Sequence, residues 1–524
     1  MDFDFASRRR LLLQAAAMAG AALSPSALGA RAYGATRQGD DPFTLGVASG
    51  EPEPDGVVLW TRLAPRPLEP DGGMAPRATP VRWEVSEDEG FRRIVRRGAA
   101  LAGPEAAHAV HVEVNGLRPD RRYWYRFLAS GGSSPVGRTR TAPRPSAEID
   151  RLRLIFASCQ KYEAGFYAGW RRAVEEDPDL VLFLGDYIYE GAPGSKNSVR
   201  LHRNPEPIDL AGYRVRHATY KSDPWLQAAH AAAPWMVIWD DHEVSNDYGG
   251  DRDEDHIGGG GDAAAFLRRR AAAYQAYFEH MPLRRRSRPV GPDMLLYRKL
   301  DWGRLAQLQF VDDRQFRSAR VCLPPGTGRG KLIPDCDARR DPRRTMLGAT
   351  QERWLLDTLS GSHARWNVLA QQTLFAPLHF PTEAGGSAWS ADGWDGAPAT
   401  RGRITSRWRE AQVSNPLVLG GDIHCFAAAD VRLEDRGPVV APSFVGGSIT
   451  SFGAAHADSA KLLAMNPDLH QHDGLVKGYG RLDLTARGGE AAFRGLADAQ
   501  REDSAVSTLA TYPLEAGRPG VRAA

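Results

Sequence analysis

Between residue 43 and about residue 143, apolar and polar positions alternate with a period of two in short runs: Val57–Leu63, Val81–Val85, Val110–Val114 and Arg122–Phe127. Successive side chains of a strand point to opposite faces, so such runs predict half-buried β-strands. Pro54-Asp55-Gly56 and Leu117-Arg118-Pro119-Asp120 carry the turn chemistry that would separate them. Roughly one hundred residues of this texture predict a β-sandwich over 42–143. That segment holds no cluster of His, Cys and carboxylates, so it reads as scaffold. Thr141-Ala142-Pro143-Arg144-Pro145 is a Pro-rich break, and the pattern changes after it. Leu152–Ala157 and Leu180–Leu184 are short apolar runs flanking a helical stretch at 166–176, which is the spacing of a βαβ unit. Trp235–Trp239 and Pro416–Leu419 are further buried strands of the same kind. The chain is therefore α/β, with a second domain over 150–510. Residues 249–262 read as a glycine-rich acidic loop, and 385–397, with Trp389 and Trp394, as a surface loop, a substrate-side loop being the alternative.

A length of 524 residues exceeds what one core fills, in keeping with two domains. The 67 basic residues nearly balance the 64 acidic ones, which argues against specific nucleic-acid binding. The first thirty residues add more. Ser7-Arg8-Arg9-Arg10-Leu11-Leu12 precedes an Ala/Gly/Leu stretch ending near Ala27-Leu28-Gly29-Ala30, the layout of a signal peptide. Paired Arg8 and Arg9 point to the twin-arginine export machinery, so residues 1–36 are expected to be a signal and the protein periplasmic or secreted. A membrane anchor is the alternative reading, weakened by the scarcity of large apolar residues. An oxidising compartment permits disulfides, and Cys322 and Cys336 flank a Pro/Gly-rich segment that they could close.

The candidate chemistry lies at the ends of the apolar strands. The first ends in Ser158-Cys159-Gln160, the second in Gly185-Asp186-Tyr187-Ile188-Tyr189-Glu190. Two more end in Asp240-Asp241-His242-Glu243-Val244-Ser245-Asn246-Asp247 and in Gly420-Gly421-Asp422-Ile423-His424. In an α/β sheet the carboxyl ends of the strands line the ligand crevice, so the four loops should converge. Each motif alone is weak, since a Gly-Asp is commonly a turn and a lone Cys commonly a small core residue. Together they offer thiolate, phenolate, carboxylate and imidazole donors, a set that suits two metal ions, one of them a transition metal. Asp422 and His424, two apart on a strand end, are expected to face the same side. Cys425 should then point away from the metals and be structural.

These motifs in this order, with Val311-Asp312-Asp313-Arg314-Gln315-Phe316-Arg317, resemble the PhoD-like alkaline phosphatase and phosphodiesterase family, a relative of the calcineurin-like and purple acid phosphatases. The N-terminal segment, with Leu117-Arg118-Pro119 leading into Tyr123-Trp124-Tyr125, is similar to a fibronectin type III strand pair. Asp313 departs from the family pattern, which has a small hydroxyl residue there. The resemblance implies a metallophosphatase domain with a two-sheet β core flanked by helices. It implies Fe(III) held by Cys159, Asp186, Tyr189 and His424, and a second ion, Ca(II), held by Asp186, Asp422 and either Asp241 or Asn246. It implies that His242 stabilises the transition state or protonates the leaving group, with Glu243 orienting its ring. Arg314 or Arg317 would clamp the phosphate, their bland alternative being surface ion pairs. A trivalent ion acidifies water, so hydroxide is available as nucleophile at neutral pH. Expected substrates are small phosphate monoesters and diesters for phosphate scavenging. The rivals are a phospholipase D-like diesterase acting on phospholipid or nucleotide esters, and a non-catalytic binding protein.

Overall fold

The computed structural model describes residues 41–195, 197–253, 262–323, 332–382, 386–434, 436–454 and 456–522. The signal-like segment 1–36, most of the glycine-rich loop and residues 324–331 between the two cysteines lie outside the described residues.

The four alternating runs become β2 (Gly56–Arg62), β3 (Thr79–Ser86), β5 (Ala109–Val114) and β6 (Arg122–Ala129), and the structure adds β1 (Val47–Glu53), β4 (Ile94–Ala102), β7 (Gly132–Ser133) and β8 (Gly137–Arg140). Strands β1, β2 and β5 face β3, β4 and β6 across a core of Val47, Leu59, Val81, Val85, Tyr125 and Phe127. Two sheets closing on their apolar faces make the sandwich expected there. The βαβ unit follows as β9 (Arg151–Ala157), α1 (Ala168–Glu175) and β10 (Leu180–Leu184), then α2 (Leu210–Lys221), α3 (Pro224–Ala232), β11 (Pro234–Ile238) and α4 (Ala263–His280). Here the structure departs from two separate layers in sequence. β1 pairs in parallel with β11, Ser49 opposite Pro234 and Gly50 opposite Trp235. One sheet of the sandwich therefore runs on, hydrogen bond by hydrogen bond, into the central sheet.

The second sheet is built from β12 (Arg298–Trp302), β13 (Ala306–Phe310), β15 (Trp366–Ala370), β18 (Pro416–Gly420), β19 (Phe426–Arg432), β20 (Val439–Gly446) and β21 (Leu469–Asp473). Between them lie β14 (Leu332–Ile333), α5 (Gly348–Ser360), β16 (Phe380–Pro381), β17 (Ser387–Ser390), α6 (Pro398–Glu410) and α7 (His456–Met465). The chain ends with β22 (Gly478–Thr485), β23 (Gly488–Leu496) and β24 (Val506–Glu515), which return to the first sheet by pairing β22 against β9. The first sheet runs β24-β23-β22-β9-β10-β11-β1-β2-β5 and the second β12-β13-β15-β18-β20-β19-β21.

Strand periodicity decides what the second sheet buries. Leu308, Phe310, Val368, Ala370, Leu417 and Leu419 turn into the main core, which they share with Leu154, Phe156 and Leu182 of the first sheet. Their alternates Leu369 and Val418 turn outward under Leu355 of α5 and Ile404 and Trp408 of α6. Each such large side chain taken out of water contributes about 1.5–3 kcal/mol, so the parallel strands β9, β10, β11, β13, β15 and β18 are held rigidly. Cys322 and Cys336 form a disulfide. Trp394 corrects the surface-loop expectation for 385–397: it is buried, packs on Phe375 and donates its indole N–H to Gln371 Oε1 at 2.8 Å.

Candidate metal centre

All four expected loops leave carboxyl ends of parallel strands, and they meet. After β9, Cys159 N bonds Gly185 O and Gln160 N bonds Asp186 O, both at 3.1 Å, stitching the first loop to the second. Gly185 has φ +105°, and a Cβ there would stand 2.4 Å from Asp240 Cβ, so the close approach of the β10 and β11 loops requires glycine. After β18, Gly421 N bonds the Gln372 carbonyl at 2.7 Å. Cys159, Asp186, Asp422 and His424 all sit at φ between 54° and 63°, in the left-handed region that is costly for side chains bearing a Cβ. Asp422 and His424 thus do not lie on extended strand, so the two-residue repeat does not apply to them. Each turns to a different group of ligands.

The first group is Cys159, Asp186 and His424, whose donor atoms lie within 4.8 Å of one another. Tyr189 joins it. Its hydroxyl donates to Asp186 Oδ2 at 2.7 Å and lies 2.9 Å from His424 Nε2. His424 Nδ1 donates to the Phe452 carbonyl at 2.7 Å, which leaves Nε2 facing Asp186 with its lone pair. The second group is Asp240, Asp241 and Asp422, and a third, Asp186, Asp241 and His242, joins the two. Asp186 and Asp241 are therefore shared between groups. Asp186 Oδ1, Asp240 Oδ2 and Asp241 Oδ1 are buried without a hydrogen-bond partner among the described residues. Buried carboxylate oxygens left so are expensive unless a cation compensates them. The donor set fits the two ions the motifs implied: sulfur, phenolate, imidazole and one carboxylate for a transition metal, carboxylates for a hard divalent ion. Asn246 is anchored through its backbone N–H, which donates to Glu190 Oε1 at 2.7 Å.

The electrostatics agree. Burial pushes the Cys159 thiol and the Tyr189 hydroxyl well up, with Asp186 adding to both. Burial raises Asp240 and Asp422 well above the usual carboxylate range, and Asp241 to about 7, against the pull of Arg314. Anionic groups that resist ionisation together are those that a cation would ionise.

Two expected roles change hands. Glu243 does not touch the His242 ring. Its carboxylate accepts three backbone N–H groups, from Asp186 at 3.1 Å, Tyr187 at 2.6 Å and Asp240 at 2.8 Å, and so ties the β10 loop to the β11 loop. The carboxylate on His242 is Glu190, whose Oε2 is 2.6 Å from Nδ1. The ring also packs on Tyr189, centroids 4.1 Å apart. Burial opposes protonation of His242, but Glu190, Asp241 and Asp186 hold it well above the ordinary imidazole range. Arg314 is neither exposed nor free: it is 1% accessible, pairs with Asp240, reaches Asp392 at 2.8 Å and stands 3.7 Å from both Asp241 and Asp422. Arg317 likewise pairs with Asp392. Glu190 stood within a motif already singled out, and the residue spacing gave no reason to prefer Glu243 over it. Asp392 sits in the Gly/Ser/Asp-rich segment, where only tertiary structure reveals its arginines.

Adjoining donor groups that share a carboxylate, set at converging strand ends, are an arrangement that could hold metal ions, as a metallophosphatase would. Comparison with known proteins agrees. Residues 154–493 match the PhoD-like phosphatase family and residues 28–143 the PhoD-like phosphatase N-terminal domain. The chain is 44% identical over 491 residues to alkaline phosphatase D of Bacillus subtilis (strain 168), covering 92% of this chain and 82% of that protein. It superposes on a solved structure of PhoD with a TM-score of 0.87 and 44% identity, over 93% of both chains. The chain belongs to the PhoD-like phosphatase family and is a phosphoric ester hydrolase. Among the described residues no helix is long and apolar enough to cross a membrane.

Proposed function

We propose that this phosphatase is exported and hydrolyses both phosphate monoesters and diesters to release phosphate outside the cytoplasm. The reading rests on one observation: Asp186 belongs to two adjoining donor groups of different chemistry, one with sulfur and one without. Cys159, Asp186, Tyr189 and His424 suit Fe(III), and Asp241 with Asp422 suits Ca(II). When bound, the ions supply Lewis acidity toward water and the phosphoryl oxygens. The chain's own residues do the rest. His242, kept protonated by Glu190, is placed to give its proton to the departing ester oxygen. Glu243 keeps the two ligand-bearing loops in register, and Arg314 balances Asp240 and Asp392 so that the carboxylate cluster stays folded. Phe452, 46% exposed beside His424, offers an apolar surface for the organic group of the ester.

The test is metal analysis by mass spectrometry alongside hydrolysis of p-nitrophenyl phosphate and its bis ester by one preparation. Iron and calcium in the protein, turnover of both esters, and loss of both in Cys159→Ala are expected. Protein that holds no metal and hydrolyses neither ester after reconstitution would overturn the reading.

A further inference from the structure

Phosphoryl transfer spreads negative charge over three oxygens, and a side-chain cation commonly meets it. The arginines of the 312–320 segment, which the motif suggested for this task, are already committed. Arg314 serves Asp240 and Asp392, Arg317 serves Asp392 and two carbonyls, and Arg320 reaches Asp247 at 3.1 Å. His242 is held by Glu190 through Nδ1 and is assigned above to the departing oxygen. Among the described residues, a further cation stands beside Tyr189. Lys161 follows the Cys159 loop, and its ammonium lies 5.9 Å from the centroid of the Tyr189 ring, the same ring on which His242 packs. Among the described residues no carboxylate approaches Lys161 within ion-pair distance.

Its backbone is fixed from both sides. Lys161 N donates to Ser451 Oγ at 3.2 Å, and Thr450 Oγ1 donates to the Lys161 carbonyl at 2.8 Å. Ser451 Oγ lies in turn 2.7 Å from the Tyr189 hydroxyl and 2.8 Å from the Cys159 carbonyl. The loop that carries the lysine is thus locked to two of the sulfur-group ligands, while the side chain stays half-buried and unspent. A lone ammonium in such a place is a point charge with three donors and no protein acceptor.

We propose that Lys161 binds the phosphoryl group of the substrate and of the product phosphate, from the Tyr189 side of the centre. The inference rests on the phosphoesterase reading above and adds a residue to it. Lys161 holds the ester in the ground state and in the transition state alike, so its removal acts mainly on KM and on product affinity, with a smaller effect on kcat.

The test uses Lys161→Met and Lys161→Arg in the metal-loaded protein, with two readouts. Inorganic phosphate binding is followed by calorimetry, and KM and kcat are measured for p-nitrophenyl phosphate, with metal content checked throughout. Expected in Lys161→Met are an about ten-fold weaker phosphate Kd and a similar rise in KM, equivalent to about 1.4 kcal/mol. Metal content should be unchanged, and Lys161→Arg should restore both constants to within about three-fold of the parent. An unchanged Kd and KM in Lys161→Met would overturn the proposal, and so would a loss of metal or of kcat with Kd unaltered. Phosphate binding separates this proposal from the broader reading: a parent protein that binds phosphate through Lys161 but hydrolyses no ester would sink the phosphoesterase function and leave the lysine's role standing.

Discussion

Replacing Glu190 with Gln probes how His242 is made an acid. Glu190 is buried, and its two oxygens are used separately: Oε2 meets His242 Nδ1 at 2.6 Å and Oε1 accepts the Asn246 N–H at 2.7 Å. Glutamine keeps the length and one acceptor but removes the charge that holds the imidazole protonated, and its amide nitrogen must then face one of the two donors. A hydrogen bond to a charged group is worth about 1.5–3 kcal/mol, which converts to roughly 10- to 150-fold in rate if it acts in the transition state. The loss should depend on the leaving group, because only a poor one needs a proton as it departs. Expected is an about 10- to 100-fold fall in kcat for glycerol phosphate and less than about three-fold for p-nitrophenyl phosphate, whose phenolate leaves unaided. Both are measured on one metal-loaded preparation. Equal losses on the two esters would mean that Glu190 only supports the loop, and the proton-donor role of His242 would fall with it.

Glu243→Gln should act differently. One of the three N–H groups from Asp186, Tyr187 and Asp240 then faces an amide nitrogen, costing about 1–3 kcal/mol, so reduced denaturant stability and reduced metal content are expected for every substrate alike. Arg314→Met leaves Asp240 and Asp392 buried without their counter-ion and should lower unfolding free energy by about 3–5 kcal/mol in a urea titration; a loss under about 1 kcal/mol would refute its charge-balancing role. His217 is buried, neither ring nitrogen has a hydrogen-bond partner among the described residues, and burial, then Lys221, Arg62 and Arg216, depress it to about 3. With the folded value below the unfolded one, stability is complete above about pH 6.5 and drains away as pH falls toward 3, at up to about 1.4 kcal/mol per pH unit. His217→Phe should therefore lose about 1.4 kcal/mol less than the parent between pH 7.5 and 5.5, and an identical loss would contradict the assignment.

The sequence pattern carries the strands and the ligand-bearing loops well, because both depend on neighbours along the chain. Leu152–Ala157, Leu180–Leu184 and Trp235–Trp239 are recognisable as strands from their apolar runs, and the polar residues that end them are recognisable as candidate ligands by their number. What escapes is whatever depends on partners distant in sequence. Nothing in Val47–Glu53 announces that it will pair with Pro234–Ile238 and merge a sandwich sheet into the central one. Nothing near Arg314 announces Asp392, and the choice between Glu190 and Glu243 for His242 turns on which loop folds over which. The Asp422-x-His424 pair shows the limit most clearly: the two-residue repeat holds on extended backbone, and both residues are in the left-handed region instead.

That backbone strain also says how the centre keeps its shape. Four candidate ligand residues, Cys159, Asp186, Asp422 and His424, occupy a conformation costing about 1–2 kcal/mol apiece for a residue with a Cβ. Three separate strand ends would relax out of it if each were free. They are not free: Cys159 and Gln160 are bonded to the backbone of Gly185 and Asp186, Ile449 N to the Ser158 carbonyl at 3.1 Å, and His424 to the Phe452 carbonyl. The Glu243 carboxylate accepts three backbone amides across the β10 and β11 loops. Each strand end is thus held by a neighbour that is itself rooted in a rigid sheet, so the strain is shared by the two-sheet core and is not left to the ligands. The left-handed turns leave thiol, carboxylates and imidazole in adjoining donor groups. The N-terminal sandwich takes part in this as well, since β1 flanks β11 and braces the strand from which Asp240, Asp241 and His242 emerge.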